Sequence, residues 1–403
     1  MTSALTRLFG LANLPLVEDV VADSLVRALE VWKFSGVPHN PGAWLMAAAK
    51  NRAIDVLRKE RTARKFAPDL EAMLSTEWSL VPTVHEAFGD AAVKDEMLRM
   101  MFACCHARLA EEVQVALVLN LLSGFGAREI AQAFLVTEAA MEKRLSRGKE
   151  TLAEHGGLPE ITPQRAAEGL PAVERALYLL FNEGYHGANA KAAVRVELCA
   201  EAIHLVTLLV EVPNVARPST TALGALMCLC AARLPGRFDE NGDLVPLEQQ
   251  DRSRWDTTLV NRGLVALEAS AQGDELSTYH VEAAIAAEHA YAPSRAQTNW
   301  PRIVGMYDTL MSITPSPVVA LNRAIAIGEA EGPARGLEEL LAIENVDRLD
   351  SYPFHAAAIA EQLLRAGRID EARAQFERAR GNARSPAEQR YLDAKIGLCS
   401  PPP

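Results

Sequence analysis

The chain has 403 residues, a formal net charge of −11, 49% hydrophobic and 23% charged residues. Length predicts two or three domains, and the composition excludes long disorder and low-complexity or collagen-like repeats. No apolar run approaches the ~20 residues of a membrane helix, and the first ten residues lack the parts of a secretory signal. A cytosolic location, with no membrane partner, is therefore expected. The six cysteines, Cys104, Cys105, Cys199, Cys228, Cys230 and Cys399, lie mostly in apolar helical patterns without metal-site spacing. They are expected to pack as small hydrophobes, with no disulfide, metal or cofactor.

Three- and four-residue periodicity dominates and strand-type alternation is almost absent, which predicts an all-α fold. Glu18–Phe34 places Val20, Val21, Leu25, Leu29 and Trp32 at helical steps, read as one packing stripe, and the turn residues from Ser35 to Gly42 end it. A second helix starts near Pro41, with Leu45, Ala49, Ala53 and Leu57 in steps of four. Between Trp44 and Phe66 stand Lys50, Arg52, Arg58, Lys59, Arg61, Arg64 and Lys65 against only Asp55 and Glu60, a local charge of +5 in an acidic protein. At about 100° per residue, Lys50, Arg58, Arg61 and Lys65 share an arc of ~80° beside the apolar stripe. Such a face suits phosphates, a merely solvated face being the alternative.

From Phe66 to Val93 the sign reverses: Asp69, Glu71, Glu77, Glu86 and Asp90 occur with no Lys or Arg, as in an acidic linker. A helical unit follows from about Asp95 to His155. Its end reads as a short helix Ala127–Ala133, a tight connection Phe134–Thr137 and a basic helix from Glu138 bearing Lys143, Arg144, Arg147 and Lys149. Two short helices with a brief turn match a helix-turn-helix reader, although any αα-hairpin imitates it.

These segments resemble an extracytoplasmic-function sigma factor of bacterial RNA polymerase. Val17–Leu29 resembles the family's polymerase-binding helix and Ala43–Lys59 its promoter-melting, minus-ten-reading helix. Glu129-Ile130-Ala131, followed by Met141, Lys143, Arg144, Leu145 and Arg147, is similar to its minus-thirty-five reader. The resemblance implies a region-two unit at residues 1–66, an acidic linker at 67–94, a region-four helix-turn-helix at 95–155 and a helical extension at 156–403. It implies core RNA polymerase and promoter DNA as partners. Glu18, Asp19, Asp23 and Arg27 would meet the polymerase, the three carboxylates sharing a helical edge. Lys50, Arg52, Arg58, Lys59, Arg61, Arg64, Lys65, Lys143, Arg144 and Arg147 would meet DNA, with Lys33, His39 and Asn40 as a base-contact loop; His39 and Asn40 also suit a turn and cap. The family's first region-two helix is mostly missing, Leu135 replaces a common turn glycine, and Glu138 and Glu142 put carboxylates on the reading helix.

The extension resembles that of a sigma subgroup through Tyr178–Tyr185. Its end, Ala356–Ala379, looks like a tetratricopeptide repeat, with a looser copy at Val318–Ile343, which suits a protein partner. The latter stretch, extended to Leu349, has six acidic residues against three arginines, an acidic surface able to mask the basic helix or recruit a basic partner. Asn182, Glu183, Tyr185 and His186 cluster, but no catalytic motif has its required context, so a buried corner is expected and no enzyme. Trp255, Trp300, Tyr279 and Tyr291 are expected to pack between helix pairs. The expected function is an alternative sigma factor with a regulatory extension; the alternative is a scaffold or sensor keeping a degenerate sigma portion.

Overall fold

The computed structural model describes residues 1–63, 90–134, 136–154, 158–186, 195–212, 215–239, 243, 245–344, 349, 352–383 and 385–399, and every regular element among them is helical. The chain divides into two units, Met1–Leu177 and Tyr178–Pro403.

The first unit opens with α1 (Thr2–Phe9), α2 (Leu14–Ser35) and α3 (Pro41–Ala63). Leu5, Phe9, Val17, Val20, Met46, Ala49 and Ala53 form their common core. Steps of three and four residues on each helix bring these side chains together. Gly36 ends α2 at φ 75°, and the Asn40 carbonyl accepts from the Trp44 N–H at 3.2 Å to start α3. Trp32 and Trp44 join the two helices edge to face, centroids 5.4 Å apart.

Residues 64–89, which hold Arg64, Lys65 and most of the expected acidic linker, lie outside the described residues; residues 90–94 are already helical. There follow α4 (Asp90–Cys104), α5 (Glu111–Leu121), α6 (Ala127–Ala133) and α7 (Glu138–Ala153). Their core holds Leu98, Met101, Phe102, Leu117, Leu119, Met141, Leu145 and Leu152, all buried. Gly148 lets α7 cross close to α5: a Cβ there would stand 2.9 Å from Val113 Cγ1 and 3.0 Å from Leu117 Cδ1. α1 packs on α4, and α7 packs on the short turn Leu11–Asn13, so the two sigma-like halves form one body.

A long helix, α8 (Pro163–His186), starts in this unit and ends in the second. Gly169 faces the Phe102 ring, and Arg175 lies 3.9 Å from Glu111. The unit boundary therefore falls at Leu177, beyond the position near residue 155 expected from sequence.

In the second unit α9 (Val196–Val210) and α10 (Pro218–Ala231) are apolar on most sides, and α10 is covered by α9, α11 (Thr257–Ser270) and α12 (Thr278–Tyr291). Then α13 (Trp300–Ile313), α14 (Pro317–Ala330), α15 (Pro333–Leu341), α16 (Pro353–Arg365), α17 (Ile369–Gly381) and α18 (Pro386–Leu398) pack each on the next. A core of Leu321, Leu337, Leu340, Ile359, Leu363 and Phe376 joins α14 to α17. Trp255 is buried, Trp300 packs on His289 and Tyr279 on Tyr178, as expected of packing aromatics. Tyr291 corrects that expectation: it is 67% exposed, at the last turn of α12.

Candidate polymerase and promoter interface

α2 presents more than its core stripe. Val17, Val20, Ser24 and Ala28 face inward, whereas Leu25, Val26 and Leu29 are exposed, Leu29 by 74%. Counting about 100° per residue, Leu25 and Leu29 lie roughly 100° round the helix from the buried stripe. The expected single stripe is thus corrected: two of its five residues, Leu25 and Leu29, form a second apolar flank that is exposed among the described residues.

The acidic residues do not share one free edge either. Glu18 accepts from Lys149 of α7 at 2.5 Å, and Asp23 accepts from Arg52 of α3 at 2.5 Å. About 140° of helix separates Glu18 from Asp23, so each reaches a different neighbour. Asp19 and Arg27 are exposed on the remaining surface. Lys33 is exposed with its ammonium 5.8 Å from the Phe34 ring centre, and His39 is exposed in the loop before α3. Asn40 is exposed just before α3, where its backbone carbonyl accepts from the Trp44 N–H.

α3 carries Lys50, Arg58, Lys59 and Arg61, whose side chains lie outside the described residues; by helical spacing Lys59 falls about 180° from Lys50, away from the other three. Arg52 alone of this basic set is described to its end, and its guanidinium is engaged by Asp23.

The helix-turn-helix is held by local bonds. Glu129 accepts from the Gly126 N–H at 3.0 Å, and Thr137 Oγ1 accepts from the Ala140 N–H at 3.3 Å. These satisfy amide donors left free at the starts of α6 and α7. Leu135, between them, is outside the described residues. Met141, Leu145, Gly148 and Leu152 anchor α7, which turns Lys143 and Arg147 outward. Arg144 is drawn back to Glu112 of α5 at 2.8 Å. The outward face of α7 thus holds two uncommitted cations, Lys143 and Arg147, among the described side chains.

The cysteine expectation concerns thiols that prove unpaired and largely buried. Burial pushes Cys104 up to about 12 and Cys230 up to about 11, so both stay protonated. Among the described residues, no group of three or more metal-ligating side chains assembles and no helix is long and apolar enough to cross a membrane.

Residues 2–63 match the Sigma-70 region 2 family and residues 99–152 match Sigma-70, region 4. The chain belongs to the sigma-70 family. This sigma factor also matches a family of unknown function over residues 169–271, so its extension is helical but not shown to be a tetratricopeptide array. It is 37% identical over 395 residues, 98% of this chain and 92% of the relative, to an uncharacterized protein of Rhizobium meliloti (strain 1021). No solved structure matches. Regions two and four assign it an alternative sigma factor's role in promoter recognition, with core RNA polymerase and promoter DNA as partners.

Two features of this surface escaped sequence reasoning. The Leu25–Leu29 flank was visible as apolar residues too widely spread for one stripe. Glu112, which claims Arg144, left no signal, because the pair joins residues 32 apart in sequence.

Proposed function

We propose that this sigma factor, of the extracytoplasmic-function class, docks core polymerase through the exposed flank of α2. Leu25 and Leu29 would fill apolar pockets while Asp19 and Arg27 set register at the rim. The single observation that carries this reading is that flank, since large apolar residues exposed together on a helix mark an interaction surface. Region two would hold minus-ten DNA through the basic row of α3, and α7 would meet upstream DNA through Lys143 and Arg147. Arg144 joins them only when Glu112 releases it. Lys33 and His39, exposed near the loop before α3, would meet an unstacked base.

Residues 178–403 would act as a partner-binding module of tetratricopeptide type. Serial packing of α13 to α18, with Gly367 at φ 77° in the turn between α16 and α17, supports this. The acidic stretch after Val318 would be a poor mask for the basic helix, because four of its six carboxylates, Glu329, Glu331, Glu338 and Glu339, pair with arginines of the same unit. Glu329 binds Arg295 at 2.5 Å and Arg365 at 2.6 Å, and Glu339 binds Arg323 at 2.7 Å and Arg335 at 2.6 Å.

Transcription from genomic fragments with purified core polymerase tests the whole reading, and absence of core binding and initiation by the full chain would refute it. Replacing Arg58, Arg61 and Lys65 together by alanine tests the DNA row. Three lost phosphate contacts should flatten the log–log salt slope of promoter binding by about 2.7, at ~0.9 each. An unchanged slope would assign these cations to solvent.

A further inference from the structure

The reading helix α7 carries a carboxylate that phosphate binding does not explain. Ala139, Glu142, Lys143 and Ser146 are exposed toward its amino-terminal end. At about 100° per residue they span an arc of about 100°, with Glu142 on one edge, Lys143 on the other and the two short side chains between. The other carboxylates of α7, and those that reach it from elsewhere, have structural uses. Glu138 stands in the first turn, where the helix dipole favours a negative charge. Glu150 accepts from Ser146 Oγ at 3.2 Å, Glu112 holds Arg144 and Glu18 holds Lys149.

Glu142 has no such use. It makes no hydrogen bond or ion pair with the described residues. The positions three and four away along the helix are Glu138, Ala139, Leu145 and Ser146, so no cation stands where a helical ion pair would form. It is too far along α7 to serve the helix dipole, which acts within the first turn. Turned toward DNA, a lone carboxylate is repelled by every phosphate, and only a donor on a base edge offsets that repulsion.

We propose that Glu142 reads a cytosine of the upstream promoter element, accepting from its exocyclic amino group in the major groove, an inference that rests on α7 meeting that element. The amino-terminal part of a recognition helix is the part that reaches base edges. Ala139 and Ser146, three residues before Glu142 and four after it, are short enough to leave its carboxylate unobstructed. Cytosine follows by elimination. In the major groove guanine shows two acceptors, thymine an acceptor and a methyl group, and adenine a donor beside an acceptor, whereas cytosine shows a donor alone. An ionised carboxylate only accepts, so each of the first three sets an acceptor against it. Lys143 and Arg147, further round the helix, remain for the phosphates.

The test is selection, by holoenzyme assembled from core polymerase and the full chain, of promoter fragments randomised upstream of the minus-ten element. The wild type should select an upstream motif in which one position favours cytosine about fivefold or more. E142A should lose that preference while the rest of the motif stands. E142Q should replace cytosine by adenine at the same position, because a glutamine amide pairs with N6 and N7 of adenine. A misfolded variant cannot gain a new base, and a carboxylate that is merely solvated predicts no switch. E138Q should leave the cytosine in place. A motif that both Glu142 variants leave unchanged would overturn the inference while keeping α7 as the upstream reader, and a switch produced by E138Q instead would overturn the assignment to Glu142. A holoenzyme that initiates but selects no upstream motif would overturn the reading of α7 as well.

Discussion

Replacing Lys149 by methionine removes the bond that ties the helix-turn-helix to α2. Promoter elements at minus ten and minus thirty-five lie about 25 base pairs apart, or ~85 Å at 3.4 Å per step. A unit the size of Met1–Leu177 has a radius of gyration near 16 Å and a diameter of roughly 40 Å. If α3 and α7 read these elements as proposed, they cannot reach both while region two rests on region four, and on that reading the Lys149–Glu18 bond opens. That bond is 2.5 Å long, with side chains 19% and 32% exposed, so about 1 kcal/mol is a fair net value. Its loss should raise the open fraction about fivefold. The assay is energy transfer between dyes on cysteines placed at Ala47 of α3 and Glu138 of α7, both exposed, read beside binding of the free chain to a fragment carrying both elements. The native Cys104 and Cys199 thiols, each pushed by burial to about 12, will not compete for label. K149M and E18Q should both lower the transfer and tighten binding by up to about fivefold. If Lys149 instead serves as a phosphate ligand, K149M weakens binding and reduces the salt slope by ~0.9 while E18Q does nothing. That pattern, or two silent variants, would refute the latch.

Gly148→Val should destabilise the first unit by about 2 kcal/mol, since the added side chain meets Val113 and Leu117 and overpacking outweighs the gain in helix propensity; thermal unfolding should fall by ~4–8 °C, and an unchanged midpoint would count against the α5–α7 crossing. L25D with L29D should leave the circular dichroism spectrum intact and weaken core polymerase binding at least about tenfold, two anchors at ~1 kcal/mol each being a modest allowance; unaltered binding would move the docking surface elsewhere. His289 makes the second unit acid-sensitive, because the unfolded chain takes a proton near 6.5 that the folded chain refuses until about 3. Its contribution is complete above pH 6.5 and is lost as pH falls through that window, about 2 kcal/mol by pH 5. Urea unfolding at pH 7 and pH 5 should show the loss, and H289Q should remove it; a wild-type curve with no such loss would contradict the burial of that ring.

The helices were legible because their apolar residues repeat at three and four, and α3, α6 and α7 stand where periodicity put them. What failed was the direction of particular faces. On α2, Leu25 and Leu29 satisfy helical spacing as well as Val17 and Val20 do, and only the position of α1 and α3 decides which set is buried. Charge pairing was likewise invisible. Lys149 meets Glu18 across 131 residues, and the acidic stretch after Val318 is neutralised partly by Arg295 and Arg365, which lie on other elements. Local counts of charge give a surface only if tertiary partners are absent, and here they are present.

The course of α8 decides how the extension can be studied. A cut near Gly157 looks natural in the sequence, between the helix-turn-helix and a segment of different character. The structure continues the first unit through Leu177, with Ala166, Leu170 and Val173 buried on one face and Gly169 against Phe102. Burying Leu170, Val173 and Leu177 alone is worth roughly 5–9 kcal/mol at 1.5–3 each, comparable with the whole stability of an ordinary domain. A fragment ending at Glu154 should therefore lack a cooperative thermal transition, and one ending at His186 should have it. Loss of promoter activity on cutting at Glu154 would then report a broken region four, whatever the extension does. Equal transitions for the two fragments would show that α8 contributes nothing to the first unit and would restore residue 155 as the domain boundary.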